Sequence, residues 1–121
     1  MTVRLIPDDE VVDVCFGNTK FLVRHLNLGH TDDCTRRANS KGKHDHAAYE
    51  RILWDLMIVG WEGLEDSRGK AVAYTDDPEK KFAIMRGLPT QIATRIRTAA
   101  YVSIPEEESA LGNSAPSSAS A

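Results

Sequence analysis

A helix-dominated α+β domain is expected of this 121-residue chain, on three grounds. Apolar and polar residues alternate on either side of Gly17-Asn18, the pattern of a β-hairpin. From Asp45 to Trp61 the apolar residues recur at helical spacing. Behind them, Asp77-Pro78-Glu79 and Leu88-Pro89-Thr90 each open a shorter helical run. The expected architecture is an N-terminal hairpin packed on one long and two short helices. It forms a single domain over residues 1–104, followed by a disordered tail over 105–121.

The hairpin occupies Val11 to Leu26. Val12, Val14 and Phe16 alternate with Asp13 and Cys15; after the turn, Phe21, Val23 and His25 alternate with Leu22, Arg24 and Leu26. Two strands alone are marginal in water, so their apolar face must rest on the helices that follow. From Asn27 to His46 the apolar period fades. NLGHTDDCTRRANSKGKHDH is polar and interrupted by glycines, and reads as a long loop or a weak helix, with Thr31-Asp32-Asp33 able to cap one turn.

Asp45 is the expected N-cap of the long helix, which runs to about Trp61. Ala48, Ile52, Leu56 and Val59 form one stripe, widened by Tyr49, Leu53, Met57 and Trp61 and extended by Trp54 and Ile58. Only Glu50, Arg51 and Asp55 remain as polar ground. Such breadth exceeds what one small sheet can cover and points to burial on two sides, one of them a partner or a second copy.

Glycines 60, 63 and 69 end this helix and shape turns, with Asp66-Ser67-Arg68-Gly69 a tight one before the extended piece Lys70 to Tyr74. Asp77 caps the next helix, with proline at its first position and Glu79 in its first turn. It carries Phe82, Ile84 and Met85 and stops by Gly87. Thr90 is the expected N-cap of the last helix, whose Ile92, Ile96 and Ala99 share a face to about Val102. The tail from Glu106, EEESALGNSAPSSASA, has too little apolar surface to offset its ordering entropy.

Composition narrows the function classes. Eighteen acidic and 15 basic residues give a formal charge of −3, too balanced for a nucleic-acid footprint over the whole molecule. No apolar run approaches the roughly 18 residues of a membrane span. MTVRLIPDDE has no secretory apolar segment, so a cytoplasmic setting is expected, with Cys15 and Cys34 reduced.

The order of motifs is familiar. A hairpin V-x-V-x-F-G…K-F-x-V-R-x-L (Val12, Val14, Phe16, Gly17, Lys20, Phe21, Val23, Arg24, Leu26) precedes a helix ending in W-E-G-L-x-D-x-x-G-K-x-V-x-Y-T (Trp61 through Thr75), then a short helix and L-P…I…I. Over roughly Val11 to Tyr101 this resembles the tail assembly chaperones of long-tailed bacteriophages. The resemblance implies a small, largely helical, non-catalytic protein without cofactors. Such proteins coat the long hydrophobic tape-measure protein, keep it soluble and help recruit tail-tube subunits. They act in the host cytoplasm and are absent from the mature virion. Many are extended by a programmed ribosomal frameshift, for which the tail from Glu106 is a natural place. The segment from Asn27 to His46 is longer and more polar than in the family's pattern.

On this reading the chain is no enzyme, self-associates, and meets its partners through Trp54, Ile58, Trp61, Phe82, Met85, Ile92 and Ile96. Trp61 also packs hairpin against helices. Two other classes compete: a structural tail or head–tail connector component retained in the virion, and a small regulator binding metal or nucleic acid. The regulator would use His30 and Cys34, four apart, and His44 and His46, two apart, although neither pair has a finger spacing. Arg36, Arg37, Lys41 and Lys43 form a basic run without the interleaved aromatics that stack on bases. Solvated loop residues are the plainer account of both. Asp66 and Gly69 lack the ligand ladder of a calcium loop and the lysine-serine pair of a phosphate loop. Ser103 and Cys15 have no histidine–acid signature beside them.

Overall fold

In the computed structural model, which describes residues 2–40 and 42–101, the alternating N-terminal segment forms β1 (Val11–Phe16) and β2 (Thr19–Arg24), paired antiparallel. Gly17, at φ 61°, makes the reversal that an L side chain would resist. The register sets Val12 opposite Val23 and Val14 opposite Phe21. One face of the ladder is therefore apolar, and Phe21 and Val23 are buried. Over the described residues the chain is α+β, with a three-stranded antiparallel sheet and four helices.

The third strand corrects the expected long helix. Helix α2 begins after the Asp45 cap, whose carboxylate accepts from the Ala48 amide, but it ends at Met57. Ile58–Glu62 is a strand, β5, antiparallel to β2, which makes the sheet order β1-β2-β5. Two β-branched residues followed by glycine favour extended backbone, and β2 offers them a free edge. The breadth of apolar surface between Tyr49 and Trp61 has a cause within one subunit. Helix α2 packs on another helix on either side as well as on the sheet, and its last apolar residues belong to the sheet.

Where a long loop or weak helix is expected over 27–46, a helix and a small hairpin form. Leu28–Ala38 is a helix, α1, followed by a two-stranded hairpin of β3 (Asn39–Ser40) and β4 (Lys43–His44). Only Cys34 and Ala38 of α1 are buried, one turn apart against α2, so the stripe is too thin to show as a period. Local contacts stabilise the rest. Arg36 pairs with Asp32 and Asp33, and Arg37 pairs with Asp33, at helical spacings. The Asn27 side chain accepts from the His30 amide while the His30 ring accepts from the Asn27 amide, a capping box with imidazole in place of a carboxylate.

After β5 the chain makes an excursion over residues 63–76. Asp66 accepts from the amides of Arg68 and Lys70, closing its turn. The Trp61 indole donates to the Val72 carbonyl at 2.8 Å and meets the Tyr74 ring edge-on, which draws the excursion back over the sheet. Helix α3 (Pro78–Met85) starts where expected, with Asp77 accepting from the amides of Glu79 and Lys80. Helix α4 (Thr90–Ala100) differs at its start: Pro89 holds the cap position, Thr90 is already helical, and no side chain caps the helix. The tail expected from 105 lies outside the described residues.

Candidate functional site

The seven expected contact residues divide sharply. Trp54, Ile58, Trp61, Met85 and Ile96 are core, none more than 6% exposed, together with Phe21, Val23, Leu53 and Met57. Enclosed this way, Ile58, Trp61 and Ile96 offer a partner almost no surface, while Trp54 and Met85 show only a narrow edge in the floor of a groove. Phe82 and Ile92 are half-buried and lie at the edge of the core. The reason is topological: β5 carries Ile58 and Trp61 into the sheet, and α3 and α4 deliver Met85 and Ile96 onto the same cluster.

Besides a cleft between Asp8, Arg24, His30 and Leu56, surface concavity among the described residues lies at the corner between α3 and α4, around Leu88. Three open grooves meet there. The first, of about 470 Å³, is walled by Leu64, Val72 and Ile84, with Glu65 and Asp66 on its rim. The second, of about 400 Å³, runs between α2, α3 and α4 and is lined by Trp54, Phe82, Met85, Arg86, Ala93 and Arg97 among others. The third is a small apolar notch of about 110 Å³ between Phe16, Phe21, Leu64 and Ile92. Leu88 lines all three. In the sequence Leu88 marks a helix restart and opens the L-P…I…I motif, and its place before a proline between two helices is the signal of a surface corner.

Arginines frame this corner. Arg86 lies over the Phe82 ring at 6.0 Å, Arg95 over Phe16 at 5.4 Å, and Arg97 over Trp54 at 5.4 Å. Arg97 also pairs with Glu50. Among the described residues, Arg86 and Arg95 have no carboxylate within salt-bridge distance. The groove between α2, α3 and α4 is thus apolar in floor and lined by Arg86 and Arg97, whereas the first groove is rimmed by acids. Such an arrangement can seat an apolar side-chain row and hold a carboxylate beside it.

The residues of the metal alternative are not brought together. His30 is held in the α1 cap, its other ring nitrogen 3.0 Å from the Asp8 carbonyl. Cys34 is buried on α1, His44 packs against the Tyr49 ring, and His46 begins α2. Among the described residues no group of three or more His, Cys, Asp and Glu side chains could hold a metal ion. No described helix is long and apolar enough to cross a membrane. Comparison with family models, with curated proteins and with solved structures finds no match for this chain.

Proposed function

We propose that this chain is a binding module of the tail-assembly-chaperone type. It acts in the host cytoplasm on the tape-measure protein, helps recruit tail-tube subunits, and leaves before the virion is complete. Self-association supplies many weak sites along a long client, so that avidity rather than one strong contact holds the complex. The observation carrying the reading is the grooved apolar corner around Leu88. The W-E-G-L block on which the family resemblance rests contributes to it directly, through Leu64 and Val72. Client contact therefore moves from the enclosed Ile58 and Trp61 to the groove walls at Leu64, Phe82, Leu88 and Ile92, with only the edge of Trp54 beneath them. Recognition of an amphipathic helix by such a groove needs no catalytic group.

Co-expression tests the proposal. The long helical open reading frame of the same tail gene cluster is produced with and without this chain, and soluble client is measured by sedimentation and immunoblot. Soluble client should rise several-fold with the wild-type chain and fall back with Leu88→Asp, checked for an unchanged far-ultraviolet spectrum. Equal solubility with and without the chain would sink the proposal.

A further inference from the structure

The groove between α2, α3 and α4 has a chemistry of its own. Its floor is the edge of Trp54, with Phe82 and Met85 on the α3 side. Its other wall is the face of α4 carrying Thr90, Ala93, Thr94 and Arg97, at helical spacing and mostly small, so another helix can approach closely. Helix α4 spans 11 residues, or about 16 Å, enough to lie alongside three turns of a partner.

Charge distinguishes what can occupy it. Glu50 is the one acidic residue of the lining and is already paired with Arg97. Arg86, exposed and stacked on Phe82, has no carboxylate partner among the described residues. Thr90 opens α4 on the same groove, and the first amides of that helix have no side-chain cap, which adds partial positive charge. The rim is therefore net cationic while the floor is apolar.

We infer that this groove docks an amphipathic helix of another protein whose apolar row is edged by carboxylates. One carboxylate pairs with Arg86 and another sits at the uncapped start of α4. The inference rests on the proposed function in taking the occupant to be a helix of the client, and it adds the sign of that helix's charge. An apolar helix edged by lysines meets the same floor but opposes Arg86 and the α4 terminus.

The test uses the full-length chain and two synthetic helical peptides of about four turns. Both carry the same leucine–alanine face; one is edged by glutamates and the other by lysines. Binding is followed by calorimetry, and the site by methyl resonances of Met85, Leu88 and Ala93. The glutamate peptide should bind about tenfold more tightly, an advantage that shrinks at high salt. Arg86→Glu should erase that preference, and Thr94→Trp, which fills the groove from an exposed position, should weaken both peptides. Equal affinities, preference for lysine, shifts away from the groove, or indifference to Thr94→Trp would each overturn the inference. So would a free chain whose groove methyls already touch a second copy or its own Glu106–Glu108 segment. If the client stays insoluble while the glutamate peptide seats in the groove, only the chaperone reading falls. If the client is solubilised equally by Arg86→Glu and Thr94→Trp, only the groove assignment falls.

Discussion

The ammonium group of Lys81 lies 2.8 Å from the carbonyl oxygen of Ile58, at the point where α2 gives way to β5. It also donates to the Asp55 carbonyl and pairs with the Asp55 carboxylate, each at 3.1 Å, while facing the Tyr74 ring. The residue is 3% exposed, the one charged side chain in the described core. Helix ends leave carbonyls without partners, and here a lysine from α3 supplies the missing donors. Core, sheet and third helix are joined at one nitrogen.

Lys81→Met keeps the stem's volume and removes those bonds, leaving enclosed carbonyls unsatisfied and Asp55 without its cation. Chemical denaturation should show a loss of about 2–4 kcal/mol. Lys80→Met, one residue away and exposed, should stay within about 0.5 kcal/mol. Similar losses for both variants would mean that the Lys81 contacts contribute nothing of their own.

Gly63 sits at φ 72°, and a Cβ there would stand 2.1 Å from the Asn18 carbonyl oxygen. The hairpin turn lies directly against it, held by the Thr19 hydroxyl donating to the Gly63 carbonyl. Gly63→Ala should therefore cost well over about 2 kcal/mol and shift the amide resonances of residues 17–20. Gly17→Ala has the same sign of φ but open space around it, and should cost about 1 kcal/mol. Thermal melts of the pair measure the steric part by difference.

The reciprocal cap between Asn27 and His30 starts α1, and Asn27 also donates to the Ile6 carbonyl and the Asp8 carboxylate. Asn27→Ala should lower stability by about 1–2 kcal/mol and loosen residues 6–8 in hydrogen exchange. His30→Gln retains an acceptor at the same position of the capping box and should cost less than His30→Ala. Identical losses for Gln and Ala would exclude a capping role for the ring.

The two cysteines should behave differently. Cys15 is exposed on β1, and Cys34 is enclosed on α1. Burial raises the Cys34 pKa, with Asp33 adding to the rise and Arg37 opposing it. Mass spectrometry after iodoacetamide should find one adduct on the native chain and two after denaturation. A thiol proton held more tightly in the folded state contributes stability below its ordinary pKa and loses it as pH climbs through the raised value. From about pH 8.5 upward the wild-type chain should lose stability faster than Cys34→Ala. Parallel pH profiles of the two would remove Cys34 from the alkaline transition.

Local chemistry alone determined much of this protein. The alternation around Gly17-Asn18 set the hairpin and its inward face, Asp45 and Asp77-Pro78 set two helix starts, and the density of apolar residues between Tyr49 and Trp61 marked the core. Only the tertiary structure decided how those apolar residues were used. Val23 meets Ile58 and Phe21 meets Trp61 across strands far apart in sequence, and that pairing ends α2 at Met57 and encloses most of the residues expected at a partner surface. Helix α1 reads from sequence as no more than a loop or weak helix because two buried residues and a ring-capped start leave no periodic trace. Leu88 became the meeting point of three grooves through the approach of α3, α4 and the Trp61-anchored excursion. Period and propensity act over a few residues, whereas exposure is fixed by which distant segments arrive.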